Sequence, residues 1–370
     1  MRRQLVRLSI LAGPTRSIRA AARTSVFFLK VLPMLPSRPV DWLTTTPLVE
    51  RVRYPTPSGE AEGDLYRPSA GGPHPGIVVC LGVVPFGVDH PQVPRLGAAL
   101  ARAGFAALLY WSPAMRDVRL DPVDVEGIAL AYRWLIEQPC IDPGRSGLLG
   151  TCVGGSFALM AAADPSIRDR VAFVLAWAPY ASIQTLARDI ASVTSSAGGT
   201  PAPWPVDQLT RTVYVRSLTA SLEPGEADLL RTTCAERGGR LDSDDLSAEG
   251  RAIYPLLTAR DAGEAETALD RLPAAVQRRL DAMSPLRYLR DIHAPLLLLA
   301  HDRDDPVIPI EESRRLVAAL AGRIGVRYTE FTMFKHLDPS KVRLPPVTLA
   351  RELAKFYRSV YPVFRQAVGP

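Results

Sequence analysis

Gly150-Thr151-Cys152-Val153-Gly154-Gly155 decides how this chain is read. A short apolar run, 147–149, leads into it, and a helix-forming run, 156–163, follows. Strand, sharp turn and helix around G-x-(Ser/Cys)-x-G make a nucleophile elbow. The central residue of such a turn is held in a strained backbone conformation, and its side chain stands clear at the top of the sheet. Glycine is needed two positions to either side, because a Cβ there would strike the neighbouring strand or helix. The side chain presented here is a thiol.

Outward from the elbow the chain alternates between strands and helices. Segments 49–55 and 60–67 alternate apolar and polar residues around Thr56-Pro57-Ser58-Gly59 and read as a hairpin. Strands are expected at 76–81, 105–110, 147–151 and 171–177, and helices at 94–104 and 123–137. This alternation calls for a mostly parallel sheet covered on both faces. It stops near Ala181. The next hundred residues hold polar helical stretches, the Gly/Pro-rich link 197–203 and an acidic tract at 242–245. The alternation resumes with a strand at 295–300, a helix at 311–321, a strand at 326–332 and a final helix at 346–360. The expected organisation is therefore an N-terminal arm (1–48), an α/β core (49–182 and 287–370) and an inserted helical cap (183–286).

Composition narrows the classes further. At 370 residues, with 47% hydrophobic and 22% charged residues, the chain can bury a large core. Its net charge of +6 resides in residues 1–50, which hold eight Lys/Arg against two Asp/Glu. The body is electrically balanced, which argues against a nucleic-acid partner. On a helical wheel Arg16, Arg19, Arg23 and Lys30 share one side, and Ile18, Ala22, Ser25 and Leu29 lie opposite. Two readings follow: a helix packed on the body with its basic face in water, or peripheral contact of residues 14–31 with an anionic membrane. Segment 25–36 is too short to span a bilayer, and Arg7 interrupts the first apolar run, against a secretory signal. The four cysteines, 80, 140, 152 and 234, form no Cys-x-x-Cys pair. That spacing suits neither a disulfide framework nor a zinc site and favours a reducing, cytoplasmic compartment.

A nucleophile at the carboxyl edge of a sheet needs a base and an orienting acid from later strand ends. The strand at 296–300 is followed by His301-Asp302-Arg303-Asp304-Asp305-Pro306-Val307-Ile308-Pro309. The last strand is followed by Lys335-His336. His74 and His293 precede strands and fall at the opposite edge; His90 and His301 fall at the right edge; only His336 follows the last strand. Cys80, inside an apolar strand, reads as an inert core thiol.

The elbow 150–155, the segment 305–309 and His336 together resemble the α/β-hydrolase superfamily, whose chain order is nucleophile, acid, histidine. The cysteine elbow with its double glycine is most similar to the dienelactone hydrolase family. The resemblance covers roughly 50–180 and 290–360 and implies the α/β-hydrolase fold: a mostly parallel central sheet, helices on both faces and an inserted helical cap. In this superfamily the acid stands four residues before the proline of Asp-x-x-Val-Pro. Ile308 and Pro309 fill the last two places, so the resemblance points to Asp305, with Asp302 and Asp304 as alternatives in the same loop.

The roles implied are His336 as base to Cys152, Asp305 as its orienter, and an oxyanion hole made by the Val153 N–H and, by analogy, the Val83 N–H. Dienelactone hydrolases carry a glutamate in the loop that here reads Val83-Val84-Pro85. They also hold a substrate carboxylate with arginines, for which Arg116 and Lys341 are weak matches; both residues equally suit a solvated surface. The activity expected is cleavage of a small-molecule ester or lactone through an acyl-enzyme. The alternatives are a thioester-using acyltransferase, resembling polyhydroxyalkanoate synthase, or an inactive hydrolase-fold scaffold. No cofactor or metal is expected.

Overall fold

The structure is a computed structural model that describes residues 2–56, 59–84, 90–197, 200–236, 239–336 and 344–369. Ten strands are described: β1 (Leu48–Thr56), β2 (Gly59–Arg67), β3 (His74–Cys80), β4 (Ala106–Tyr110), β5 (Ile141–Thr151), β6 (Phe173–Trp177), β7 (Thr194–Ala197), β8 (Thr200–Pro203), β9 (Leu297–Asp302) and β10 (Val326–Phe331). Eight of them form one sheet in the order β1-β2-β4-β3-β5-β6-β9-β10. The β1–β2 and β2–β4 pairs are antiparallel, and every later pair is parallel.

Sequence explains this division. Strands β4, β6 and β9 are buried at every residue; β4 and β6 read as continuous apolar runs, as does β9 up to Ala300, in keeping with parallel strands covered on both faces. The outer hairpin instead carries charge across its ladder. Arg51 meets Asp64 at 2.5 Å, and Arg67 meets Glu50 at 2.6 Å. Opposite charges facing across strands suit an edge exposed to water.

The helices before the last crossovers are α1 (Arg2–Val31), α2 (Arg38–Leu43), α3 (Gln92–Arg102), α4 (Pro113–Arg116), α5 (Val123–Ile136) and α6 (Val153–Ala161). Between β6 and β9 lie α7 (Ile183–Ser192), the β7–β8 hairpin, α8 (Gln208–Leu218), α9 (Pro224–Thr233), α10 (Ala248–Thr258), α11 (Ala262–Asp270) and α12 (Ala274–Ala282). The chain ends with α13 (Ile310–Ala319) and α14 (Pro346–Val368). Helices α1, α3 and α14 share a core with one face of the sheet, while α5, α6, α13 and the inserted helices share the other. The buried Glu312 carboxylate ties the start of the insertion to the core, accepting from the Ala181 N–H at 2.8 Å, the Ser182 N–H at 3.1 Å and the Thr185 hydroxyl of α7 at 2.8 Å.

Three local expectations are corrected. The link at 197–203 contributes to the β7–β8 hairpin on either side of its undescribed tip. Strand β9 runs two residues further than expected, so His301 and Asp302 end a buried strand rather than open a loop. Helix α1 is also rotated from the wheel's prediction. Its buried stripe is Ala20, Thr24 and Phe27, while Ile18 is 67% exposed. Ring packing sets this rotation: Phe27 lies 5.4 Å from Phe364, and Phe28 lies 5.7 Å from Phe356. The basic side is accordingly not simply solvated. Arg16 donates to the Arg365 carbonyl, Arg23 lies against Gly104, and Lys30 pairs with Asp41 at 2.8 Å. Among the described residues, no helix is long and apolar enough to cross a membrane.

Candidate active site

Cys152 sits between β5 and α6 with φ 56° and ψ −138°. An L-residue pays about 1–3 kcal/mol for such a conformation, which persists only where its surroundings impose it. Three contacts do so here. The Cys152 N–H donates to the Trp177 carbonyl at 2.8 Å. A Cβ on Gly150 would overlap the Gly154 carbonyl and approach the Gly155 Cα to 2.6 Å. A Cβ on Gly154 would overlap the Cys80 carbonyl and come within 2.6 Å of the Gly82 nitrogen. Both glycines are therefore conditions of the turn. Gly82 has φ +75°, which lets the segment after β3 press its backbone onto the start of α6. The Thr151 hydroxyl fastens that segment by donating to the Leu81 carbonyl at 2.9 Å.

Sequence residues more than 150 positions apart then meet. The His336 Nδ1 lies 3.0 and 2.9 Å from the two Asp305 carboxylate oxygens. With Nδ1 engaged by Asp305, Nε2 is the ring nitrogen left for the Cys152 thiol, which lines the same cavity. Burial disfavours the charged ring, but the Cys152 and Asp305 charges outweigh it and raise the His336 pKa well above 6.5. Burial would likewise raise Asp305; the His336 charge and hydrogen bond, with His301 and the Ile308 N–H, hold its carboxyl below the usual range. Its Oδ1 accepts from the Val307 N–H at 2.8 Å and the Ile308 N–H at 3.0 Å. His336 itself has φ 59° and Lys335 φ 37°, so the histidine turn is strained like the elbow.

The neighbouring candidates take other positions. Asp302 points under the histidine turn and accepts from the Phe334 N–H at 2.6 Å and the Lys335 N–H at 3.3 Å. It holds the backbone that carries His336. His301 is fully buried, with Nδ1 2.6 Å from the Ser313 hydroxyl and Nε2 2.9 Å from the Ile308 carbonyl. Burial pushes its pKa down, despite Asp305 nearby. Neither residue was distinguishable from a loop ligand without knowing that β9 continues through them. Cys80 is buried, and desolvation drives its thiol pKa upward.

A cavity of about 630 Å³ opens over Cys152 and His336. Val83 and Val153 both line it, the two residues expected to offer oxyanion donors. The Val153 N–H belongs to the first turn of α6, where backbone donors have no partner within the helix. Arg116 lies elsewhere. It is exposed at the end of α4 and is not among the lining residues. The four-residue turn buries Ala114 and Met115 instead, and it is Leu120 that reaches the cavity. Lys341 lies outside the described residues. Sequence reasoning missed the walls of the cavity, including Lys335, the α1 residues Phe27 and Val31, and Leu32 just after that helix. Among the described residues no cluster of His, Cys, Asp or Glu could hold a metal ion.

Sheet order, elbow and strand-end histidine together define the α/β-hydrolase fold. Comparison with known proteins agrees at that level. No family model matches. A probable 2-oxo-3-(5-oxofuran-2-ylidene)propanoate lactonase from Bradyrhizobium sp is 31% identical over 124 residues, 30% of this chain and 49% of that protein. The bile acid-CoA:amino acid N-acyltransferase of Mus musculus is 29% identical over 130 residues, 33% of this chain and 29% of that one. The chain thus spans about half or less of these relatives. Among solved structures, an acylaminoacyl peptidase in complex with Z-Gly-Gly-Phe-chloromethyl ketone superposes with a TM-score of 0.53 at 15% identity, covering 85% of this chain and 41% of that one. A Mycobacterium tuberculosis puromycin-hydrolyzing peptidase gives 0.53 at 18% identity, covering 91% and 41%. The 2,6-dihydroxy-pseudo-oxynicotine hydrolase gives 0.51 at 14%, covering 86% and 68%. At such identities the likeness is one of fold.

Proposed function

We propose that this protein is a thiol-dependent acyl hydrolase that cleaves an ester or lactone through Cys152, His336 and Asp305. The observation that carries the reading is the strained Cys152 sharing one cavity with a histidine whose Nδ1 rests on a buried carboxylate. His336 takes the Cys152 proton, giving a thiolate–imidazolium pair. The thiolate attacks the carbonyl carbon, and the carbonyl oxygen takes the negative charge between the Val153 and Val83 N–H groups. Collapse breaks the C–O bond, and His336 gives its proton to the departing alkoxide. This leaves a thioester and neutral imidazole. Water then attacks the thioester carbonyl while His336 takes its proton. The second collapse releases the acid and restores the thiolate–imidazolium pair. Asp305 holds the ring's tautomer and steadies the imidazolium throughout.

The partner is a small-molecule ester or lactone, and no cofactor is required. Residues 1–48 form the arm, 49–182 and 287–370 the core, and 183–286 the cap that shields the acyl-enzyme from water. The four free thiols suit a cytoplasmic protein, with residues 14–31 available to a membrane surface. One second reading shares the first half-reaction: an amine or hydroxyl acceptor replaces water. The similarity to a protein named as an acyl-CoA-using N-acyltransferase favours keeping it. Hydrolysis of p-nitrophenyl esters by the purified protein tests the first reading. The expected result is turnover that iodoacetamide stops. Undiminished turnover after complete alkylation of Cys152 would refute it.

A further inference from the structure

The cavity straddles the carboxyl edge of the sheet, and its lining falls into two groups. One lies beneath the inserted helices, with Leu186 and Ile190 of α7, Leu218 of α8 and Leu280 of α12. The other lies on the opposite face, between Phe27 and Val31 of α1, Leu96 of α3 and Val360 of α14, over Leu175 and Trp177. Cys152 lines the same cavity. Residues of both walls are buried: Phe27 and Leu280 are each 5% exposed, and Val360 is 2% exposed. Charged side chains are few on this surface: Lys335, Asp207 and His336 line it, and no arginine does among the described residues. Asp207 spends its carboxylate on the N–H and hydroxyl of Thr210, at 2.9 and 2.7 Å. A carboxylate on the substrate would meet desolvation here without the bidentate partner that could offset it. A cavity of about 630 Å³ fits a ligand of drug-like size.

Resting on the hydrolase reading above, we propose that the substrate is an uncharged ester with a long flexible acyl chain. That chain lies in the half walled by α1, α3 and α14, and the alcohol portion lies beneath the inserted helices. Each buried methylene contributes up to about fourfold in binding. A series of p-nitrophenyl esters from acetate through butyrate to octanoate, with the charged hemisuccinate as control, measures this in the full chain. The expected kcat/KM rises by about 30-fold or more from acetate to octanoate, and the hemisuccinate lies below butyrate. Val31→Trp and, independently, Leu96→Trp intrude on the acyl half and reduce the octanoate-to-acetate ratio to about threefold or less. Leu186→Trp, on the other side, leaves that ratio high. Ile18→Ala, at an exposed site on α1 outside the cavity, controls for general disturbance of the helix. A flat or falling length profile overturns the inference alone, as does preference for the hemisuccinate. So does loss of the ratio in Leu186→Trp but not in the α1 and α3 variants. Failure of the wild type on every ester overturns the hydrolase reading, and this inference with it.

Discussion

The elbow and the acyl half of the cavity lie side by side but are built by opposite means. At the elbow the backbone does the specifying. Cys152 is held at φ 56° by one carbonyl contact and by two glycines whose Cβ atoms would have no room. Neither glycine there can be exchanged without moving main chain. In the cavity wall, by contrast, side chains do the specifying. Phe27, Leu96 and Val360 come from three helices at three distant places in the chain, and each only has to be apolar and of suitable size. Chemistry is thus placed on the rigid edge of the sheet, and selectivity on helix surfaces that tolerate change.

Substitution at the sulfur gives the largest expected effect on this contrast. Cys152→Ala should abolish measurable turnover with a thermal midpoint close to wild type, and His336→Ala should reduce turnover by roughly 10³ or more. A large loss of stability in Cys152→Ala would show that the edge is held by its side chains after all. Gly154→Ala comes next. Its new Cβ meets the backbone of Cys80 and Gly82, so the cost should be about 1–3 kcal/mol or more in chemical denaturation. A neutral outcome would mean that the segment after β3 gives way freely.

The pH profile is a gentler probe. The folded His336 pKa is raised above 6.5, so its contribution to stability is fully present below about pH 6.5 and is lost as pH rises through the folded value. Urea denaturation of wild type against His336→Gln should therefore differ most below neutrality and converge at alkaline pH. A difference that grows with pH would reverse the sign of the coupling. Smallest is Cys152→Gly. It removes a non-glycine residue from a positive-φ site and should stabilise the fold by about 1 kcal/mol while losing activity. Destabilisation instead would mean that the thiol's contacts outweigh the strain.

Legibility from sequence follows the same division. The elbow and the parallel core could be read because backbone constraints leave local marks: two glycines at fixed spacing, and apolar runs alternating with helical periodicity. His336 and Asp305 could be placed because strand ends are countable. The rotation of α1 could not be placed, because charge spacing said one thing while contacts with Phe356 and Phe364, more than 300 residues away, decided another. His301 and Asp302 were assigned to a loop because an apolar run seemed to end at Ala300, yet the strand continues where buried partners exist for both. The cavity walls left no local pattern at all. Their residues look like ordinary helix cores until tertiary packing leaves a gap between them.

The central claim is that the Cys152 sulfur carries the acyl group. Intact-mass analysis of protein quenched in acid during turnover of p-nitrophenyl octanoate, followed by peptide mapping, tests it most directly. The account predicts one added octanoyl group, located on Cys152 and absent from Cys152→Ala. Continued turnover with the acyl group on another residue, or retained by the Cys152→Ala protein, would contradict it.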